Sequence, residues 1–150
     1  MGTPELKVNY WADDDATGEL MATAAVGAFS ARGSAWVGRA HVKQAFLTAL
    51  RAFPLTSANP PLVEGGVWKD NGLLDQCSLR ITIKPYGRRG KLLVHAELAS
   101  EAWEPADADL QNRASIRFLT EYAVVERFAE EFEQVLDGKL EVAILKGIAS

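Results

Sequence analysis

The chain has 150 residues, 48% of them hydrophobic and 24% charged, and a formal net charge of −4. That is the length of one ordinary globular domain, which buries roughly 70% of the surface its unfolded chain exposes and needs neither disulfide nor metal to fold. The acidic balance excludes the basic footprint of a general nucleic-acid binder and argues equally against an anionic membrane surface as partner.

Residues 5–11 alternate, with Leu6, Val8 and Tyr10 pointing one way and Lys7 and Asn9 the other, which predicts a half-buried strand. Asp13-Asp14-Asp15 and Thr17-Gly18 make a turn-rich break. Residues 19–29 resume an extended pattern despite Ala22, Ala24 and Ala28. A helix competes there, but Gly18 before the segment, Gly27 inside it and Ser30-Ala31-Arg32-Gly33 after it favour a strand. A short strand around Ala35-Trp36-Val37 follows. Val42, Ala45, Phe46, Ala49, Leu50 and Phe53 recur at three- and four-residue steps and predict an amphipathic helix, ended by Pro54.

The middle of the chain reads as β. Leu62 to Trp68 is a strand whose Gly65-Gly66 suggests a bulge, and Lys69-Asp70-Asn71-Gly72 is a turn. Leu79, Ile81 and Ile83 alternate with Arg80, Thr82 and Lys84. Leu92, Val94, Ala96 and Leu98 alternate with Leu93, His95 and Glu97, so a hairpin through Pro85–Gly90 is expected. Residues 100–109 are an acidic loop, and residues 113–118 alternate again. Thr120 is the expected N-cap of a second helix with the stripe Val125, Phe128, Ala129, Phe132, Val135 and Leu136, stopped by Gly138. A last strand over 139–145 would carry Leu140, Val142 and Ile144 on one face.

The resulting order, β-β-β-α-β-β-β-β-α-β, predicts one α+β domain: a mainly antiparallel sheet of about 6–8 strands with two amphipathic helices on one face. Trp36, the helix face Val42, Phe46, Leu50 and Phe53, the segment Leu62–Trp68, the strand ending in Gly90-Lys91-Leu92-Leu93-Val94, and Phe118 leading into Glu121-Tyr122 are laid out in a way that resembles small bacterial α+β proteins of unassigned function, some from contact-toxin immunity loci. The resemblance covers most of residues 19–136. It implies the fold and an immunity-type setting, and it carries no catalytic site.

Cys77 is the only cysteine, which excludes an intrachain disulfide and favours a reducing compartment. The sequence has no signal-peptide pattern and no apolar run long enough to span a bilayer, so a cytoplasmic location is expected. His41 and His95 stand in no metal-binding motif, and the aspartate triplet lacks the spacing of a calcium loop; no metal or cofactor is expected. No nucleophile motif or phosphate loop is present. His95 and Glu97 share one strand face and could converge. Gly87-Arg88-Arg89-Gly90 places two guanidinium groups on a flexible tip suited to an anion, Arg88 and Arg89, or else a solubilising turn. Glu121 falls within the span of the second helix's apolar stripe, stabilised there by the helix N-terminus or by Arg80 or Arg117. Of the four tryptophans, Trp36 and Trp68 precede loops and could line one groove, whereas Trp103 sits in the acidic loop with little to bury it. Glu126, Glu130, Glu131 and Glu133 give the second helix an acidic outer face.

These features favour a non-enzymatic domain that recognises another protein, an immunity-type role being one instance, with Trp36, Trp68, Arg80, Arg88, Arg89, Trp103 and Glu121 as the candidate contacts. The alternatives are a small-molecule pocket between sheet and helices, with or without chemistry, and a self-associating protein that extends its sheet across a dimer axis.

Overall fold

The computed structural model describes residues 2–14 and 16–148. Its strands are β1 (Glu5–Ala12), β2 (Thr17–Val26), β3 (Phe29–Gly38), β4 (Leu62–Trp68), β5 (Leu74–Tyr86), β6 (Lys91–Ala99), β7 (Arg113–Glu121) and β8 (Ala143–Lys146). Between β3 and β4 lies a helical run, α1, composed of Arg39–His41, a π turn at Val42–Leu47 and Thr48–Leu50; α2 is Tyr122–Leu136. The element order matches the sequence reading. No helix among the described residues is long and apolar enough to cross a membrane.

The strands form two four-stranded antiparallel sheets, β3-β2-β1-β8 and β4-β5-β6-β7, instead of one continuous sheet with both helices on a single face. Alternation dictates which side of each strand is buried, and both sheets turn that side inward. Leu6, Val8, Leu20, Ala22, Ala24, Ala35 and Val37 from the first sheet meet Leu79, Ile81, Ile83, Leu92, Val94, Ala96, Ile116 and Phe118 from the second in one core. The helices complete that core. Val42, Phe46, Leu47 and Leu50 of α1 and the whole predicted stripe of α2 are buried, and Phe46 meets Phe132 with ring centroids 5.8 Å apart. Outside the core, Arg51 pairs with Glu133 and Lys43 with Asp137, tying the helices together at their exposed flank.

The topology repeats itself. Taken cyclically, β8-β1-β2-β3 is a four-stranded meander followed by α1, and β4-β5-β6-β7 is a second meander followed by α2. The two meanders close on each other at two seams. At one, β3 runs across all four strands of the second sheet. Small residues permit this: a Cβ at Gly33 would stand 2.2 Å from the Ser78 carbonyl oxygen, and one at Gly65 would stand 2.6 Å from the Ala35 Cβ. The buried Ser78 hydroxyl donates to the Ser34 carbonyl across this seam. At the other, Thr120 Oγ1 donates to the Lys146 carbonyl at 2.9 Å, and the Ile148 amide donates to the Leu119 carbonyl at 2.8 Å.

Five expectations are corrected. The β2–β3 turn is at Gly27-Ala28, so 30–33 belongs to β3, which is ten residues long and not a short strand at 35–37. Phe53 lies beyond the end of α1 and is 78% exposed; the π turn widens the repeat and brings Leu47 into the core in its place. Thr120 is a buried strand residue, and Glu121 occupies the N-cap position without a side-chain capping bond. The last strand buries Ala143 and Leu145, because pairing with Val8 and Leu6 sets its register; Ile144 faces outward and Leu140 precedes the strand. The acidic face of α2 is partly spent, since Glu131 accepts the Ile144 amide and Glu133 pairs with Arg51.

A tryptophan-walled groove

Where β3 enters α1, the second sheet's edge strand β4 lies alongside, and a groove of about 360 Å³ opens between them. Val42 and Phe46 form a floor that is itself almost fully buried. Trp36 from β3 and Trp68 from the end of β4 stand over it, 53% and 50% exposed, with Leu62 also exposed on the β4 side. Trp36 lies within β3, two residues from its end, and points outward because Ala35 and Val37 point in. His41 and Glu64 supply the polar rim.

Glu64 is linked to a wider polar face on the outside of the second sheet. Arg80 Nε donates to Glu64 at 2.7 Å and its terminal nitrogen donates to Glu97 at 3.2 Å. The cross-strand register Glu64–Arg80–Glu97–Ser115 makes these contacts inevitable for long side chains on one face. Arg80 is thus committed to internal pairs, and at its exposure each contributes about 0–1 kcal/mol.

His95 and Glu97 do converge, at 3.8 Å, but through His95 Nε2, the same nitrogen that lies 2.7 Å from Ser115 Oγ. A relay needs the orienting acid on one ring nitrogen and the nucleophile on the other. This arrangement does not provide it. Burial, then the neighbouring Arg117 charge, hold the His95 pKa below its usual value, which favours neutral imidazole. Cys77, inside β5, has its thiol pKa pushed up by burial, the opposite of what a nucleophile requires. Asp14 accepts the amides of Ala16 and Thr17, and these bonds lower its pKa; it shapes the β1–β2 turn. Asp15, the last of the aspartate triplet, lies outside the described residues. No cluster of three or more metal-ligating side chains occurs among the described residues.

Of the sequence candidates, Trp36 and Trp68 are brought together, and Arg80 touches the groove wall through Glu64. Arg88 and Arg89 lie on the exposed β5–β6 tip and line no part of the groove. Trp103 is 60% exposed in its loop, where its indole N–H donates to Glu101 at 3.1 Å. Glu121 neither enters the core nor meets Arg80 or Arg117; it is exposed and paired with Lys91 at 2.8 Å.

No protein-family model, curated protein or solved structure gives a significant match to the chain. The functional reading therefore stands on the geometry.

Sequence reasoning missed His41, Leu62 and the Val42–Phe46 floor as lining. It also missed a second placement: Trp11, Glu19 and Trp36 lie opposite one another on β1, β2 and β3, all on the outer face of the first sheet. The signal was the strand register, which depends on locating the Gly27-Ala28 turn.

Proposed function

We propose that this chain is a non-enzymatic protein-interaction domain whose recognition site is the groove between Trp36 and Trp68. The observation that supports it is the pair of half-exposed indoles over an apolar floor, beside exposed Leu62. Large aromatics concentrate binding energy when a partner desolvates them, and about half of each indole is left outside the core for that contact. A partner side chain of apolar character enters over Phe46, and Glu64 and His41 orient polar groups at the rim. The net charge of −4 suits a basic partner, of which a cationic toxin domain in an immunity-type pairing is one instance.

The test is photo-crosslinking from position 62 in the natural host, with the captured protein then purified for titration. Trp36→Ala and Trp68→Ala are each expected to weaken that complex at least about tenfold, measured at a temperature where both variants are fully folded, because the half-buried rings also contribute some stability. Undiminished affinity in both variants would refute the reading. A second reading, a small-ligand site, is favoured by the volume, which lies at the lower end of the roughly 300–1,000 Å³ range of ligand pockets. A metabolite that raises the melting temperature of the wild type, but not of Trp36→Ala, would establish it.

A further inference from the structure

We infer that the outer face of the first sheet holds a second contact, in which Trp11, Glu19 and Trp36 together clamp an arginine side chain of a basic partner. The inference rests on the protein-binding reading above and names the partner's chemistry. The three residues form one cross-strand row, Trp11 opposite Glu19 and Glu19 opposite Trp36. Adjacent strands lie about 4.8 Å apart, so the tryptophan backbones are separated by about 10 Å with the carboxylate midway. Indole rings that turn their faces toward the carboxylate between them would bring a cation at that midpoint within the roughly 6 Å over which each face attracts it.

Both rings are accessible. Trp11 is 50% exposed and Trp36 53%, on the face of the sheet opposite its core. Met21, half-buried in the next row between Asn9 and Ser34, gives an apolar shoulder for an aliphatic stem. Glu19 accepts a hydrogen bond from Ser34 Oγ at 3.4 Å, and it takes part in none of the ion pairs among the described residues. Arg32, which borders Glu19 from the far side of Ser34, makes no such pair either. On its other flank Trp11 borders Lys139, Leu140 and Glu141, whose opposite charges balance, so the attraction for a cation comes from Glu19. A planar guanidinium fits this row better than an ammonium, because it stacks on aromatic faces while its edge donates to a carboxylate. Trp36 belongs to both the row and the groove, so an arginine seated here continues directly into the apolar contact over Phe46.

The decisive experiment titrates N-acetyl-arginine amide into ¹⁵N-labelled protein at low ionic strength and follows the four indole N–H resonances. Saturable shifts at Trp11 and Trp36, none at Trp103, and no response to the uncharged N-acetyl-citrulline amide are expected. Glu19→Gln should weaken binding about three- to tenfold with no change in melting temperature. Equal responses to the citrulline amide, or unchanged affinity in Glu19→Gln, would overturn the inference. So would saturation by tetramethylammonium without arginine binding, which would mark a small-cation site. Loss of the arginine response with Trp68-dependent capture intact removes this inference alone; the opposite pair of results removes the protein-binding reading.

Discussion

Moving one methyl group across the β3–β4 seam tests how the two sheets are held together. A Cβ at Gly65 would sit 2.6 Å from the Ala35 Cβ, about an ångström short of ordinary contact, while its next neighbours, Trp36 O and Val37 Cγ1, are at 3.7 and 3.9 Å. Gly65→Ala therefore forces the edge strands apart, an overpacking cost of about 1–3 kcal/mol. For a chain of this length that lowers the melting temperature by about 2–12 °C. Ala35→Gly alone loses a buried methyl and frees the backbone, costing about 1.5 kcal/mol. In the double variant the methyl introduced at position 65 occupies the space vacated at position 35, so the pair should fall within about 1 kcal/mol of the wild type, a coupling of about 2 kcal/mol. Urea unfolding of the four proteins measures it. A double variant as unstable as the sum of the singles, with coupling under about 0.5 kcal/mol, would show that the seam is not set by this contact.

Three further outcomes are expected. Gln76 is buried and exchanges two hydrogen bonds with Ala102, 2.7 and 2.8 Å long; Gln76→Ala should cost about 1–3 kcal/mol and speed proteolysis within residues 100–109, read by mass spectrometry. The folded state holds the His95 pKa below its unfolded value, so folding favours the neutral form, and the associated stability is present above the unfolded pKa and lost as pH falls through the folded one. Between pH 7 and pH 5 the wild type should lose more stability in urea melts than His95→Gln. With its pKa raised by burial, the Cys77 thiol should react with iodoacetamide more slowly than glutathione at pH 7.5 and catch up only on denaturation.

Local pattern carried most of the architecture. Alternation around Ile81 and Val94 placed β5 and β6, and the stripe from Val125 to Leu136 named every buried residue of α2. Alanine-rich β2 is a strand because its neighbours β1 and β3 complete its ladder and its small side chains admit the second sheet, a tertiary effect that propensity does not contain. Alternation says which side of a strand is buried but not which sheet it joins, so the division into two sheets was not legible. Nor was the outward face of Ile144, which follows from pairing with β1 far away in sequence. The convergence of Trp36 and Trp68 was readable from their positions beside α1 and at the β4–β5 turn. The row with Glu19 was not, because placing the turn at Ser30–Gly33 instead of Gly27-Ala28 shifts every β2–β3 cross-strand neighbour.

The pairing of β1 with β8 also governs when the first sheet can be finished. Leu6 waits for Leu145, and β1 keeps a bare edge on one side until every other strand of both meanders has been synthesised. On the ribosome the second meander can therefore close before the first, and the interval during which β1 stands open is the one in which a chaperone, or a neighbouring nascent chain, competes with β8 for its backbone.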